Sequence, residues 1–244
     1  MEMENSLVEI RTVQAISSRG GHHFEPVQER DLYSLAAKAA QTLPGAKGGV
    51  VLVSEMPGPL GQPDFVVLLG GNDWISKRRS AGVGPQLGQA ECTVLAALYE
   101  KRPLKLETLS RRLDWSVESL QPILSKLVRQ GAVDITSTGS YRLVSGMMPS
   151  GHLVAFEAKV KDWHRAIVQG RAYRTWADNY VVLLGEVGET AMGRAIEAVA
   201  DDGAGLFNET GWSVYPKPRK AVAARRLWGF EYLLAAVGGL DPSF

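Results

Sequence analysis

The sequence predicts an α/β protein, a mixed sheet flanked by helices and interrupted by an inserted helical domain. Three observations carry this reading. The runs "GGVVLVSE" and "PDFVVLLGG" are β-branched and apolar, are bounded by Gly and Pro, and read as strands joined by the turn-rich "MPGPLGQ". Across residues 89–145 the texture changes to successive helical segments that end in a hairpin pattern. From residue 152 the first texture resumes as strand, helix and strand. The divisions fall at 1–84 for the first part of the core, 85–148 for the insert and 149–244 for the second part.

Length and composition fit this plan. A chain of 244 residues, 45% of them hydrophobic, can build one large domain or two smaller ones, each with its own core. Its 27 basic and 26 acidic side chains nearly cancel, so any attraction to nucleic acid must be local. Cys92 is the only cysteine, which excludes an internal disulfide and a cysteine-based zinc cluster and points to a reducing cytoplasm. The N-terminal "MEMENSLVEI" is acidic and lacks the order of a secretory signal. No apolar run is long enough to span a bilayer, so neither export nor a membrane is expected.

Taken in order, "ERDLYSLAAKAAQTL" places Leu32, Leu35, Ala36, Ala39 and Leu43 at helical spacing, and Pro44-Gly45 stops it. The two strands follow. "GGNDWISKRRSAGVGPQLG" is polar, glycine-rich and basic and reads as a connection. In the insert, "QAECTVLAALYEK", "LKLETLSRRL" and "VESLQPILSKLVRQ" read as helices, the third with Ser116 as its N-cap. "AVDITSTGSYRLV" then reads as a hairpin with Val133, Ile135, Tyr141 and Leu143 at its alternating positions. Beyond it, "HLVAFEAKV" and "NYVVLLG" read as strands on either side of the helix "DWHRAIVQGRAYRTWAD". "AMGRAIEAVADDG" reads as a helix and "AGLFNETG" as a final strand. The terminal helix "KAVAARRLWGFEYLLAAVGG" aligns Val222, Leu227, Phe230, Leu234 and Val237 on one face.

Within "HLVAFEAKV" an acid and a base lie two residues apart in an apolar run. Alternate side chains of a strand share a face, so Glu157 and Lys159 point the same way and Ala158 points opposite. Charged groups buried there require partners. Asp64, at the head of "PDFVVLLGG", is the candidate. Two carboxylates meeting there would offer hard oxygen ligands for Mg²⁺ or Mn²⁺, and the lysine could pair with them and orient a water.

These residues resemble the PD-(D/E)xK nuclease superfamily, whose members share the restriction-endonuclease-like fold. Pro63-Asp64 is similar to its PD element, and Glu157-Ala158-Lys159 to its ExK element. Gln169 and Tyr173, four apart on the helix after ExK, resemble the Gln-x-x-x-Tyr pair of exonuclease-like branches and share a helix face. The resemblance covers residues 1–84 and 149–244. It implies a metal-dependent phosphodiesterase, with Asp64 and Glu157 as metal ligands and Lys159, Gln169 and Tyr173 completing the catalytic set. The family often adds an acid from its first helix, and Glu29 is the position that corresponds, with Glu25 as the alternative. The insert departs from the family's usual short hairpin between these motifs. A compact domain is readily accommodated at a hairpin tip because domain termini usually lie close together. The alternative is a nuclease-like scaffold without activity that carries a DNA-binding regulator or adaptor.

Three helices and a hairpin resemble a winged helix-turn-helix, whose third helix commonly enters the DNA major groove. That resemblance implies contacts to double-stranded DNA from Ser119, Gln121, Ser125, Lys126 and Arg129, with Arg111 and Arg112 on the second helix and Arg142 on the wing. Protein docking or dimerisation is the other use of such a module. Symmetric cutting of two strands makes a homodimer plausible, and membership of a larger assembly is the further option. The basic "KPRKAVAARR" places Arg219 and Lys220 before a helix N-terminus, where positive charge is unfavourable; a phosphate partner would offset that, and ordinary solvation is the alternative. The four histidines show no spacing that brings them together.

Overall fold

The computed structural model describes residues 10–14 and 32–238. Among them, seven strands form one mixed sheet and two more form a separate ribbon. In chain order the elements are β1 (Ile10–Gln14), α1 (Tyr33–Thr42), β2 (Val50–Ser54), β3 (Phe65–Leu69), α2 (Asn72–Ser80), α3 (Gln89–Ala97), α4 (Leu106–Leu113), α5 (Val117–Arg129), β4 (Val133–Ile135) and β5 (Tyr141–Leu143). They continue as β6 (His152–Lys159), α6 (Trp163–Tyr173), β7 (Asn179–Leu184), α7 (Glu189–Asp202), β8 (Gly205–Asn208), β9 (Gly211–Val214) and α8 (Ala223–Val237).

The sheet order is β1-β2-β3-β6-β7-β8-β9. β2, β3 and β6 are antiparallel neighbours, whereas β6, β7 and β8 run parallel. Parallel neighbours require a crossover, and α6 and α7 supply those of β6–β7 and β7–β8; β1 also runs parallel to β2, with α1 between them in the chain. The central strands are buried on both faces, which explains why they read as continuous apolar runs. One face carries Val53, Val66, Leu68, Leu153 and Ala155 under Trp74 and Ile75 of α2 and Phe230 and Leu233 of α8. Towards β8 the same face is covered by Ala166, Ile167, Ala195 and Val199 of α6 and α7. The opposite face, with Leu52, Phe65, Val67, Phe156 and Ala158, packs on Leu35, Ala36 and Ala39 of α1.

The insert leaves the sheet at the tip of the β3–β6 pair, through α2, and returns at β6. Leu95, Leu109, Leu120, Leu124 and Leu127 fill its core together with Leu227 of α8, so α8 ties the insert to the sheet. The Trp228 indole N–H donates to the Leu87 carbonyl at 2.7 Å across the same junction. Ser116 caps α5 as expected, its hydroxyl accepting from the Ser119 N–H at 3.2 Å. Leu104 bridges to Tyr141 beside the ribbon.

Four expectations change. "NDWISKRRS" is helix α2 rather than a connection, because Trp74 and Ile75 enter the core and Arg78 is buried against Glu231 at 2.8 Å. A basic residue that serves as half of a buried ion pair looks like surface in sequence. Strands β1 and β9 extend the sheet at its two edges, where the short "IRTVQ" and "GWSV" carry little apolar signal. Val222 is 75% exposed and precedes α8 instead of joining its apolar face. Ile135 is 52% exposed, because Val133 and Leu143 of the ribbon enter the insert's core and Tyr141 packs against it, whereas Ile135 does not.

Candidate active site

The antiparallel register of β3 and β6 pairs Phe65 with Phe156. One step further along both chains, Asp64 therefore stands opposite Glu157. Directly opposed residues share a sheet face, so both side chains lie on the α2/α8 face with Val66 and Ala155, while Ala158 packs beneath the sheet against α1. Asp64, Glu157 and Lys159 are all buried. Asp64 Oδ2 accepts from the Ala158 N–H at 2.6 Å, a bond that fixes the carboxylate against the ExK strand. Lys159 Nζ lies 2.9 Å from Glu157 Oε1 and donates to the Ala158 carbonyl at 2.8 Å. The ion pair offsets part of the several kcal/mol that burying each charge would otherwise cost.

Helix α6 completes the constellation. Asp162 caps it by accepting from the Arg165 N–H at 3.1 Å. The close approach of α6 to the sheet needs Gly170, since a Cβ there would lie 2.2 Å from the Tyr180 ring. The Tyr173 hydroxyl donates to Glu157 Oε2 at 2.8 Å and lies 3.3 Å from the Gln62 carbonyl. Burial first, and then the Glu157 and Asp64 carboxylates, hold the Tyr173 phenol far above its ordinary pKa, so it stays protonated as a donor. Gln169 lies one turn before Tyr173, and its buried Oε1 has no hydrogen-bond partner among the described residues.

The β2–β3 loop closes over this helix. The Trp176 indole N–H donates to the Leu60 carbonyl at 3.0 Å, and Gln62 reaches back to the Glu55 carbonyl at 3.1 Å. Gly61 has φ +80, and a Cβ there would lie 2.9 Å from the Tyr173 ring, so the loop contacts the ring only because no side chain intervenes.

Asp64, Glu157, Lys159 and Tyr173 are thus brought together in one connected set of contacts, and Gln169 lies on the same helix as Tyr173. Glu29 lies outside the described residues. Two features escaped the sequence reading. Arg165 is exposed, lies four residues before Gln169 and eight before Tyr173, and its charge is felt at the Tyr173 hydroxyl. Its helical register with the other two was the available signal. Glu55 follows β2 with φ +50, and its N–H donates to the Asp64 carbonyl at 2.8 Å, beside the PD element.

On the insert, Arg111, Arg112, Ser119, Gln121, Ser125, Lys126, Arg129 and Arg142 are all exposed. Four of these cations already have neighbours, Arg111 through a bond from its Nε to the Glu107 carbonyl at 3.5 Å. Lys126 Nζ pairs with Glu91 at 2.5 Å, Arg142 pairs with Asp134 at 3.2 Å, and Arg112 lies over the Tyr99 ring at 4.6 Å. Glu91 tethers Lys126 towards α3, which turns its charge away from the outer side of α5.

The donor chemistry suits a hard divalent ion. Mg²⁺ typically takes one or two carboxylates and completes its shell with waters and phosphate oxygens. Asp64, Glu157 and the Ala158 carbonyl fit that pattern. The Lys159 ammonium bridges two of these oxygens, as a cation does. Among the described residues there is no group of three or more His, Cys, Asp or Glu side chains placed to enclose a metal, so protein ligands alone would not complete a shell there. The chain matches no protein-family model, no curated protein and no solved structure. No helix among the described residues is long and apolar enough to cross a membrane.

Proposed function

We propose that this chain is a divalent-metal-dependent phosphodiesterase that cleaves DNA, a nuclease of the PD-(D/E)xK, restriction-endonuclease-like type. The observation that carries the reading is the opposition of Asp64 and Glu157 across β3 and β6, with Lys159 Nζ at 2.9 Å from Glu157. Residues 85–148 act as a winged helix-turn-helix that holds the duplex, chiefly through α5.

Asp64, Glu157 and the Ala158 carbonyl would hold Mg²⁺ or Mn²⁺. The ion would supply Lewis-acid polarisation of a phosphoryl oxygen and would offset the negative charge that develops during hydrolysis. Lys159 donates to the attacking water or to the developing charge, after exchanging its contact with Glu157 and the Ala158 carbonyl for the substrate. Tyr173 anchors Glu157 Oε2 and leaves Oε1 as the exchangeable oxygen. Gln169 uses its amide to orient the water or the phosphate, and a water donating to it gives its buried Oε1 a partner. Cutting both strands in register calls for two copies of the chain, as a homodimer or within a larger assembly.

Burial favours a second reading. With Asp64, Glu157 and Lys159 all below a tenth exposed, Glu157 paired with Lys159 and Asp64 bonded to the Ala158 N–H between them, the same set can serve as a structural network in a DNA-binding regulator or adaptor. Incubation of supercoiled plasmid with the protein and Mg²⁺ or Mn²⁺ separates the two. The nuclease nicks the plasmid, and Lys159→Ala loses the activity while still binding DNA. A wild-type chain that binds DNA and leaves it intact with every divalent ion, alone and with partner proteins, is the regulator.

A further inference from the structure

At the other end of the sheet, on the α1 face, lies a cavity of about 100 Å³ lined by Pro44, Leu69, Val154, Asn179, Lys217 and Arg219, among others. Leu69 and His152 of its lining lie five residues, about 17 Å along β3 and β6, from Asp64 and Glu157, and Val154 lies three residues, about 10 Å, from Glu157 with its side chain on the opposite sheet face. Ligand pockets for drug-sized molecules run to about 300–1,000 Å³, so this one takes a single ring or a small anion. Its inner walls are aliphatic and proline faces, and its rim is basic.

The rim is built in advance. The Asn179 amide donates to the Gly203 carbonyl at 2.8 Å and to the Lys217 carbonyl at 3.0 Å, while the Lys217 N–H donates to the Gly203 carbonyl at 2.9 Å. Asp178 is the acid on the cavity's lining; its charge reaches Arg219, but its oxygens are already bonded. Its carboxylate accepts from Arg226 Nε at 2.8 Å, from the Leu153 N–H at 3.0 Å and from the Ala221 N–H at 3.1 Å. Lys217 and Arg219 therefore face the cavity without an ion pair among the described residues.

A third cation crowds Arg219. Arg219 donates to the Arg174 carbonyl at 3.3 Å, and burial together with the Arg174 guanidinium lowers the Arg219 pKa from its ordinary value. Arg174 is itself poorly neutralised. Its buried Nε has no partner among the described residues, and its nearest acid, Asp202 at 3.9 Å, already serves Arg171 at 2.7 Å and the Tyr180 hydroxyl at 2.5 Å. A fold that gathers exposed cations at the mouth of an apolar cavity, with Asp178 as the acid on its lining, is complementary to an anion attached to a ring.

We propose that this cavity is a nucleotide site, in which Lys217 and Arg219 hold a phosphate and the aliphatic walls receive the attached base or sugar. The phosphate belongs to a free nucleoside monophosphate or to the end of a DNA strand. The site does not require the Asp64/Glu157 centre to be catalytic, so its test is independent of any cleavage assay. Isothermal titration calorimetry of the full chain with thymidine 5′-monophosphate, thymidine, inorganic phosphate and a 5′-phosphorylated thymidine oligomer tests it. Thymidine 5′-monophosphate binds at least tenfold more tightly than thymidine or inorganic phosphate, and the Lys217→Ala/Arg219→Ala double variant weakens it tenfold or more. Both positions are exposed, and an unchanged melting temperature shows that the variant is folded. Binding of the oligomer alone, with the same loss in the variant, supports the site and assigns it to a DNA end. No binding by either phosphorylated compound, or equal binding by the folded variant, overturns the proposal. Inorganic phosphate binding as tightly as the nucleotide overturns the role of the apolar walls and with it the nucleotide assignment.

Discussion

Replacement of Lys159 by alanine separates a metal-binding set of carboxylates from a structural one through stability alone. In the native protein the Lys159 and Glu157 side chains are 8% and 2% exposed and 2.9 Å apart, with the Asp64 carboxylate opposite Glu157. Removing the ammonium leaves Glu157 buried beside a second acid and without the lysine it pairs with. Breaking such a pair costs about 3–5 kcal/mol. For a chain of this size each kcal/mol lowers the melting temperature by about 2–4 °C, so Lys159→Ala in EDTA melts roughly 6–20 °C below wild type. The same change removes the cation that competes for Glu157 Oε1 and the Ala158 carbonyl. Mg²⁺ or Mn²⁺ at a hundred times its Kd then restores about 2.7 kcal/mol. The gain in the variant exceeds the gain in wild type, where the lysine must first give way. Differential scanning calorimetry with and without the ion measures both quantities. Equal melting of variant and wild type in EDTA refutes the buried-charge reasoning. A destabilised variant that no divalent ion rescues refutes the metal site and leaves the network structural.

Three further outcomes follow from named contacts. Burial pushes the Glu231 carboxyl up to about 7 from 4.5, against the pull of Arg78 and the Gln86 N–H. The folded state thus holds this proton more tightly than the unfolded chain, and stability falls as pH rises from about 4.5 through 7. That contribution is about 3 kcal/mol, so urea unfolding at pH 5 and pH 8 should show a smaller difference in Glu231→Gln than in wild type by that amount. Gly61→Ala places a Cβ against the Tyr173 ring at positive φ, which costs about 1–2 kcal/mol from the backbone alone. Melting should drop, and cleavage should fall further than the loss of folded protein accounts for. Arg165→Ala removes an exposed cation near Tyr173. It should raise KM for DNA while leaving kcat nearly unchanged and lower the salt dependence of binding by about one phosphate contact; an unchanged salt slope would exclude that contact.

Much of the site was legible because a strand's two-residue period is rigid. Glu157 and Lys159 had to share a face, and four residues on a helix had to bring Gln169 and Tyr173 to one side. Ser116 declared itself as a cap through its place before an apolar run, and the β-branched runs of β2, β3 and β7 announced buried strands. Helix α2 stayed hidden. Its Arg78 reads as solvent-facing until Glu231, 153 positions later, is seen to enclose it.

The sequence by itself determined the local periods, the order of elements and the identity of the charged side chains, because these depend on neighbours a few residues away. Tertiary structure alone decided the register of β3 against β6, since a slip by one residue would turn Asp64 to the opposite face from Glu157. It also decided that α8 joins the insert to the sheet and that Arg219 meets Arg174. Such contacts are set by packing between segments distant in the chain, for which local spacing holds no information.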